Sequence, residues 1–111
     1  MADSDFNKLR VDDARVTKVV FDGKTVLVSI RDWQANAIVV AFAEAIGIQG
    51  FGIVDIDLGG ASESSTDPLI VKACCAVDEP VNGFQCYTLF SAWNDQPIIQ
   101  IVARSWEVSL V

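Results

Sequence analysis

Two neighbouring stretches near the start of the chain have the hydrophobic patterns of strands. The first covers residues 16–21 and is rich in β-branched side chains. The second covers residues 24–30, where valine and isoleucine recur at every second position. Only Asp22 and Gly23 separate them, and an Asp-Gly pair between two strand-like runs is the strongest short-range signal for a tight hairpin. The pattern therefore predicts a β-hairpin over these two stretches.

The stretch from Asp32 to Gly47 fits two different structures. As a helix, it would have Asp32 as its N-cap and Gly47 at its end, and its alanines would supply helix propensity. As a strand, it would place most large apolar residues on one face and the alanines on the other. Residues 37–43 contain no polar side chain, which leaves a helix without a polar face. We therefore favour a strand over residues 36–43 and keep a helix near residues 33–46 as the alternative.

The remaining apolar runs predict further strands. Turn-forming residues separate them at intervals of roughly ten residues, which is typical of antiparallel sandwiches and barrels. The predicted strands cover residues 53–58, 69–77, 84–93 and 98–111, the last with a break near Ser105. We expect a mainly β fold, either an antiparallel curved sheet, a sandwich or a partly open barrel. An α+β fold is the alternative if the helix forms.

The length of 111 residues predicts a single domain over residues 1–111. Residues 1–13 are polar and predict a flexible N-terminal segment. Residues 59–68 are small and polar and predict an exposed loop. The acidic start of the chain does not resemble a secretory signal, and the longest nearly apolar run, residues 37–48, is too short to cross a membrane. We therefore expect a cytoplasmic protein with no membrane partner.

The chain is both acidic and hydrophobic. It has 15 acidic and 8 basic residues, a formal net charge of −7, and 51% hydrophobic residues. The negative balance argues against nucleic acid as a partner, because such binding depends on Lys and Arg. It would attract a basic protein partner, but the alternative is that the charge only keeps a hydrophobic surface soluble. The apolar excess indicates surface contacts. We therefore expect a homodimer through an apolar face or through the edge of the terminal strand.

Several chemistries have no support in the sequence. The chain contains no histidine, its glycines match no phosphate-binding loop, and no base accompanies a candidate nucleophile. Cys74, Cys75 and Cys86 are interpreted as reduced, structural thiols. Asp55 and Asp57 resemble the start of a calcium loop, but the later ligands are absent. The sequence therefore predicts no catalytic residue, no metal and no cofactor.

Five residues are the candidates for an interface or a ligand site: Trp33, Glu44, Trp93, Arg104 and Trp106. Trp and Arg are the residue types most enriched at interface hot spots. Arg104 and Trp106 would share one face of a strand, which predicts a cation–π contact between them. The alternative is that the indoles cap the ends of the β core. Glu44 interrupts an otherwise apolar run, and burial there would raise its pKa.

Residues 90–103, with the sequence FSAWNDQPIIQIVA, carry a resemblance to known proteins. The segment resembles a recurrent pattern in small uncharacterised bacterial proteins, including ones of mobile gene cassettes or toxin-immunity loci. The Asp32-Trp33 pair at the end of the predicted hairpin is similar as well. The resemblance implies a bacterial, cytosolic, β-rich protein and assigns a role to no residue.

These observations predict a small non-enzymatic binding protein that forms a homodimer. Its most specific version is an immunity-like protein that acts against a basic partner, as small size, acidity and the lack of catalytic groups suggest. The competing interpretation is a small-molecule-binding or enzymatic β cup with an apolar pocket. In that cup Glu44 or Asp32 would be the working acid.

Overall fold

A computed structural model describes residues 6–110 as two antiparallel sheets packed face to face. Sheet I contains four strands, in the spatial order β1 Arg15–Asp22, β2 Thr25–Arg31, β3 Ala37–Ala43 and β8 Ser105–Leu110. Sheet II contains four others, in the spatial order β4 Gly47–Gly50, β7 Pro97–Ala103, β6 Gln85–Ser91 and β5 Leu58–Ser64. The helix α1, Pro68–Val77, lies between β5 and β6 in the chain. The predicted mainly β, sandwich-like fold is confirmed.

The hairpin of β1 and β2 matches the prediction. Asp22 pairs with Thr25 across the turn, and Gly23 has a φ of +60°, which side chains rarely adopt. Alternate residues of β2 are fully buried, as the period-two pattern requires. β3 then pairs antiparallel with β2. The strand favoured for residues 36–43 is therefore confirmed, and the alternative helix near residues 33–46 does not form.

Residues 69–77, predicted as a strand, belong to α1 instead. The side chain of Asp67 caps the helix by accepting a hydrogen bond from the Leu69 backbone N–H at 2.9 Å, and Pro68 occupies the first turn. Asp78 ends the helix in the left-handed conformation, with φ of 57°. A short apolar run does not distinguish a strand from a buried helix, and here the caps decide. In the described part of the chain, no helix is long and apolar enough to span a membrane.

Strand β5 occupies most of the segment predicted as an exposed loop, residues 59–68. It pairs with β6 along its length, with a bulge at its start. Small residues suit this strand because the backbone near Ala92 lies close to its start. A Cβ on Gly59 would lie only 2.8 Å from the Cα of Ala92. Residues 53–57, predicted as a strand, form only isolated bridges to β1. Composition alone therefore misplaces this strand by several residues.

The described part of the segment predicted to be flexible, residues 6–13, packs against the core. Phe6 begins a short 3₁₀ turn and is fully buried, and Val11 is buried beside it. The ring of Phe6 makes edge-on contacts, with centroid distances of 5.1–5.8 Å, to the rings of Phe42, Tyr87 and Trp106. Residues 1–5 of the predicted segment lie outside the described residues. Phe6 therefore helps to hold the two sheets together.

The two sheets differ in what covers their outer faces. The outer face of sheet II packs against α1, in a cluster formed by Ile70, Ala73, Cys74, Phe84, Cys86 and Val102. The described residues provide no comparable cover for the outer face of sheet I, where side chains are half-buried or exposed. We call this surface the open face. One of its ends adjoins a cleft in the protein surface.

Candidate functional site

A cleft of about 750 Å³ opens where β1 begins and β2 ends. Side chains at the end of the open face, the turn after β2 and the segment before β5 line it: Asp13, Arg15, Thr17, Arg31, Asp32, Trp33, Asp55 and Asp57. A second hollow of about 480 Å³ continues on the other side of Trp33 and includes Arg10 and Asp12. Trp33 therefore lines both depressions.

The turn between β2 and β3 holds Trp33 in this position. The Asp32 carboxylate accepts hydrogen bonds from the backbone N–H groups of Gln34 and Asn36, each at 2.9 Å. Ala35 completes the turn with a φ of 66°. Although desolvation raises the pKa of Asp32, the hydrogen bonds from Asn36 and Gln34 outweigh it and hold this pKa below its usual value. Asp32, predicted to be a helix N-cap, instead caps a turn that leaves the Trp33 side chain 76% exposed.

An ion pair fixes the floor of the cleft. Arg15 Nε donates to Asp57 Oδ1 at 2.6 Å, and the hydrogen bond and charge of Asp57 raise the pKa of Arg15. The contact joins residues 42 positions apart and ties the segment before β5 to the first strand. The neighbouring Asp55 has a φ of 67° and sits in the same segment. This segment therefore brings two carboxylates to the start of β1.

The electrostatic balance of the cleft is negative. Four aspartates and two arginines line it. Asp57 and Arg15 neutralise each other, which leaves Arg31 among three further carboxylates. A tryptophan face attracts cations, and nearby carboxylates add to that attraction. The arrangement therefore suits a cationic side chain placed against Trp33.

The structure places Glu44 and Arg104 together, away from this cleft. Glu44 follows β3 with a φ of 52°, and its side chain is 63% exposed, 3.5 Å from Arg104 Nε. The guanidinium of Arg104 lies over the ring of Phe84 at 4.3 Å and also donates to the backbone carbonyl of Asn82 at 3.3 Å. The predicted cation–π contact between Arg104 and Trp106 is therefore wrong, because Arg104 precedes β8 and stacks on Phe84 instead.

The other two tryptophans have contrasting environments. Trp106 points into the core, where its ring meets Phe6 at 5.1 Å. Trp93 lies in the turn after β6 and is 78% exposed. Its backbone N–H donates to the Ser91 hydroxyl at 3.1 Å. Neither residue lines the cleft. Of the five candidates, Trp33 alone belongs to it.

Two of the three cysteines offer little chemistry in the folded state. Cys74 and Cys86 are buried between α1 and sheet II, and burial raises the pKa of both thiols, that of Cys86 to about 11. Cys75 is exposed. Within residues 6–110, no three His, Cys, Asp or Glu side chains are grouped closely enough to hold a metal ion.

Sequence reasoning misses most of the residues that surround Trp33. Asp55 and Asp57 stand out as a carboxylate pair, but Arg15, Arg31 and Asp13 carry no local signal. Comparison with known proteins adds no further candidate, because no family model, curated protein or solved structure matches the chain. A function must therefore be inferred from the geometry of the cleft and of the open face.

Proposed function

We propose that this protein is a binding protein that recognises a basic protein partner through the cleft around Trp33. The observation that carries the proposal is a tryptophan side chain left 76% exposed among carboxylates. Exposed tryptophans in surroundings of this kind are typical of interaction sites. The partner would present an arginine or lysine against the indole, with further basic residues facing the aspartates.

Charge would also act at long range. A formal net charge of −7 on 111 residues attracts a basic protein before contact and raises the association rate at low ionic strength. A single exposed cation–π contact contributes only about 0.5–1 kcal/mol. The affinity would therefore depend on a surface wider than Trp33. The most specific version of this proposal is an immunity-like protein that covers a basic partner.

The competing proposal, a small-molecule-binding or enzymatic β cup, depends on an apolar pocket with an acid inside. The observation that favours it is the position of Glu44 within an apolar run. In the structure Glu44 lies on the surface beside Arg104 and does not line the large cleft. The cleft itself is open and its side chains are mostly charged. The geometry therefore favours a cationic protein segment over an apolar small molecule.

A peptide titration tests the proposal directly. The probe is a short peptide of alternating arginine and glycine, and its control replaces each arginine with glutamate. The indole N–H signals of Trp33 and Trp93 are followed by NMR, because both side chains are similarly exposed, at 76% and 78%. We expect the arginine peptide to shift the Trp33 signal and leave Trp93 unchanged, and we expect added salt to weaken binding.

Matched variants complete the test. Trp33→Ala should weaken binding of the arginine peptide by about fivefold, the equivalent of one exposed cation–π contact, whereas Trp93→Ala should leave it unchanged. Equal losses in both variants would show that the peptide binds exposed indoles without selectivity. Equal binding of the arginine and glutamate peptides would also contradict the proposal.

A further inference from the structure

We propose that a second copy of this chain covers the open face of sheet I, with the two-fold axis running parallel to the strands. This arrangement would place both Trp33 clefts at the same end of the dimer. The dimer itself stands independently of the proposed function, but the use of two adjacent clefts to bind a basic partner rests on it. Two features of the open face support the proposal, and a third sets the strength expected of the dimer.

The first feature is the centre of the face, which is apolar and formed of small side chains. Leu27 on β2 pairs with Ala41 on β3, and Val39 lies in the next row. These three residues are half-buried, and Val20 on β1 is 37% exposed. The residues on either side of Leu27, Val39 and Ala41 point into the core, and Val20 pairs with Leu27, so all four face away from the core. Such a face can pack closely against another sheet.

The second feature is the position of opposite charges on the two edges of the sheet. Lys18 lies on β1 and pairs with Ser29, while Glu107 lies on β8 and pairs with Ala41. Two further strands separate β1 from β8, so the two charges are far apart within one chain. They occupy adjacent rows, about 7 Å apart along the strand direction.

These charges distinguish between the arrangements that two copies can adopt. An axis parallel to the strands lays β1 of one copy over β8 of the other, so Lys18 meets Glu107 of the second copy twice. A perpendicular axis in the plane of the interface lays β1 over β1, so Lys18 faces β1 of the second copy and not Glu107. Asp22 at one end of β1 would then face Arg15 at the other end, whose charge Asp57 already neutralises within the chain. Edge-to-edge pairing of two β8 strands would place the two Glu107 side chains side by side on one face. Of these three arrangements, only the parallel axis brings Lys18 to Glu107. It also brings the Arg31 side chains of the two copies near each other, which lowers the affinity expected.

The third feature is the size of the face, which sets the expected affinity. Four strands spaced about 4.8 Å apart and about seven residues long give a planar area of roughly 400 Å² per copy. The total buried area of roughly 800 Å² is below the range of about 1,200–2,000 Å² for stable specific interfaces and falls among the weak, transient ones. We therefore expect a weak dimer, with a dissociation constant in the micromolar range or above.

The position of the cleft gives this dimer a consequence for binding. Arg15 and Arg31 form the outward-facing pair at one end of the open face, and both line the cleft. A two-fold axis parallel to the strands keeps the same end of both copies together. The dimer would then present two indoles and two sets of carboxylates side by side. A partner with two basic segments would gain from binding both.

The experiment measures the mass of the protein by sedimentation from about 1 μM to about 1 mM, the range in which a weak dimer dissociates. Val39→Lys should weaken association at least tenfold, because it places a charge at the centre of the interface. Val39→Thr, which keeps the shape and the β-branch, is the control, and its affinity for a second copy should fall much less. Circular dichroism verifies that each variant keeps the β fold.

Charge reversal tests the axis. Lys18→Glu and Glu107→Lys should each weaken self-association, whereas an equimolar mixture of the two variants should restore it, because each mixed dimer then contains two attractive pairs. The double variant should also associate like the original. A protein that stays monomeric at about 1 mM overturns the proposal. So does an unchanged dimer in Lys18→Glu, or a mixture that fails to associate.

The same variants separate this proposal from the proposed function. Val39→Lys should still bind the arginine peptide, one per chain, because the cleft is intact. Trp33→Ala should still dimerise, because Trp33 lies in the turn beyond the open face. Loss of dimerisation in Trp33→Ala would show that the cleft, and not the open face, mediates self-association, which would overturn this arrangement of the dimer.

Discussion

The central strands of the two sheets are similarly apolar, but their outer faces lie in different surroundings. β6 and β7 of sheet II are buried on both faces: Ile101 faces the space between the sheets, and Val102 faces α1. β3 of sheet I is just as apolar, but its Val40 is fully buried while Val39 is only half-buried. Apolar residues on both faces of a strand therefore require two covers. In sheet II the chain supplies the second cover itself, whereas in sheet I the described residues do not.

Substitution of Phe6 has the largest expected effect, because its ring lies where both sheets contribute to the core. It is fully buried and touches Phe42 of sheet I and Tyr87 of sheet II. Phe6→Ala should lower the free energy of unfolding by about 3–5 kcal/mol, measured by urea denaturation. Phe21→Ala is the matched control, because that ring is 63% exposed, and it should change stability by less than about 0.5 kcal/mol.

A small effect of Phe6→Ala would mean that residues 6–13 dock weakly. The sequence predicts a flexible segment there because most of its side chains are polar. The sequence does not indicate that Phe6 packs into the core. The rings that Phe6 contacts belong to residues far away in the chain, and local composition carries no information about such contacts.

Two valines on the outer faces of the two sheets give the most direct test of the comparison. Val102 lies under α1 and is fully buried, while Val39 lies on the open face of a central strand and is half-buried. Val102→Ala should lower the free energy of unfolding by about 2 kcal/mol, since it removes two methyl groups and leaves a cavity. Val39→Ala should cost less than about 1 kcal/mol. Both are measured at submicromolar concentration, below the dissociation constant expected of the proposed dimer.

Equal losses in the free energy of unfolding for Val102→Ala and Val39→Ala would contradict the difference proposed between the two outer faces. If Val39→Ala were as costly as Val102→Ala at the lowest concentration and the loss did not grow with concentration, the open face would be covered within one chain. If its cost appeared only at high concentration, a second copy would supply the cover. The concentration dependence therefore separates the two explanations.

The parts of the fold that can be predicted are those with local signals. Asp22 and Gly23 specify the first hairpin, and residues 37–43 favour a strand because a helix would lack a polar face. The strand predicted in place of α1 is wrong although Asp67 and Pro68 stand before the apolar run. Period-two and helical patterns are both compatible with nine largely apolar residues, so the capping signal is the better guide there.

The candidate site is predictable only in part. Trp33 can be singled out by its residue type and by its place at the end of a hairpin strand. Its neighbours cannot, because the contact between Arg15 and Asp57 spans 42 positions and depends on how the segment before β5 lies against β1. Arg104 shows the same limit. It lies in the connection between β7 and β8 and stacks on Phe84, which comes just before β6, so the register of β8 does not determine this contact.

A smaller effect is expected from the cap of α1, the element that makes sheet II different from sheet I. The Asp67 carboxylate accepts from the Leu69 N–H at 2.9 Å and lies 3.4 Å from the side-chain amide of Gln100. Asp67→Ala should lower the free energy of unfolding by about 1 kcal/mol. Asp67→Asn keeps an acceptor at the cap, and its free energy of unfolding should fall much less. Equal losses in the two variants would show that the charge of Asp67, and not its capping bond, is what matters.

The smallest effect concerns the thiols, and it reports whether α1 stays on sheet II. Cys75 is exposed on the helix, while Cys74 and Cys86 lie beneath it. Burial is the main cause that raises the pKa of Cys86 to about 11, with the Asp67 charge adding to it, and burial also raises that of Cys74. With a pKa of about 11, roughly 0.1% of the Cys86 thiol is ionised at pH 8, and the thiolate is the reactive form.

A thiol reagent at pH 8 should therefore modify one cysteine quickly and the other two slowly, and all three should react quickly in denaturant. The rate for Cys75 should be the same in the original chain and in Asp67→Ala, because this thiol is already exposed. The rates for the buried pair should rise in Asp67→Ala, because a weaker cap lets α1 open more often. Cys74 is the cleaner reporter of opening, because loss of the Asp67 charge also lowers the pKa of Cys86. If all three thiols reacted together in the folded protein, α1 would not be a stable cover, and sheet II would be as open as sheet I.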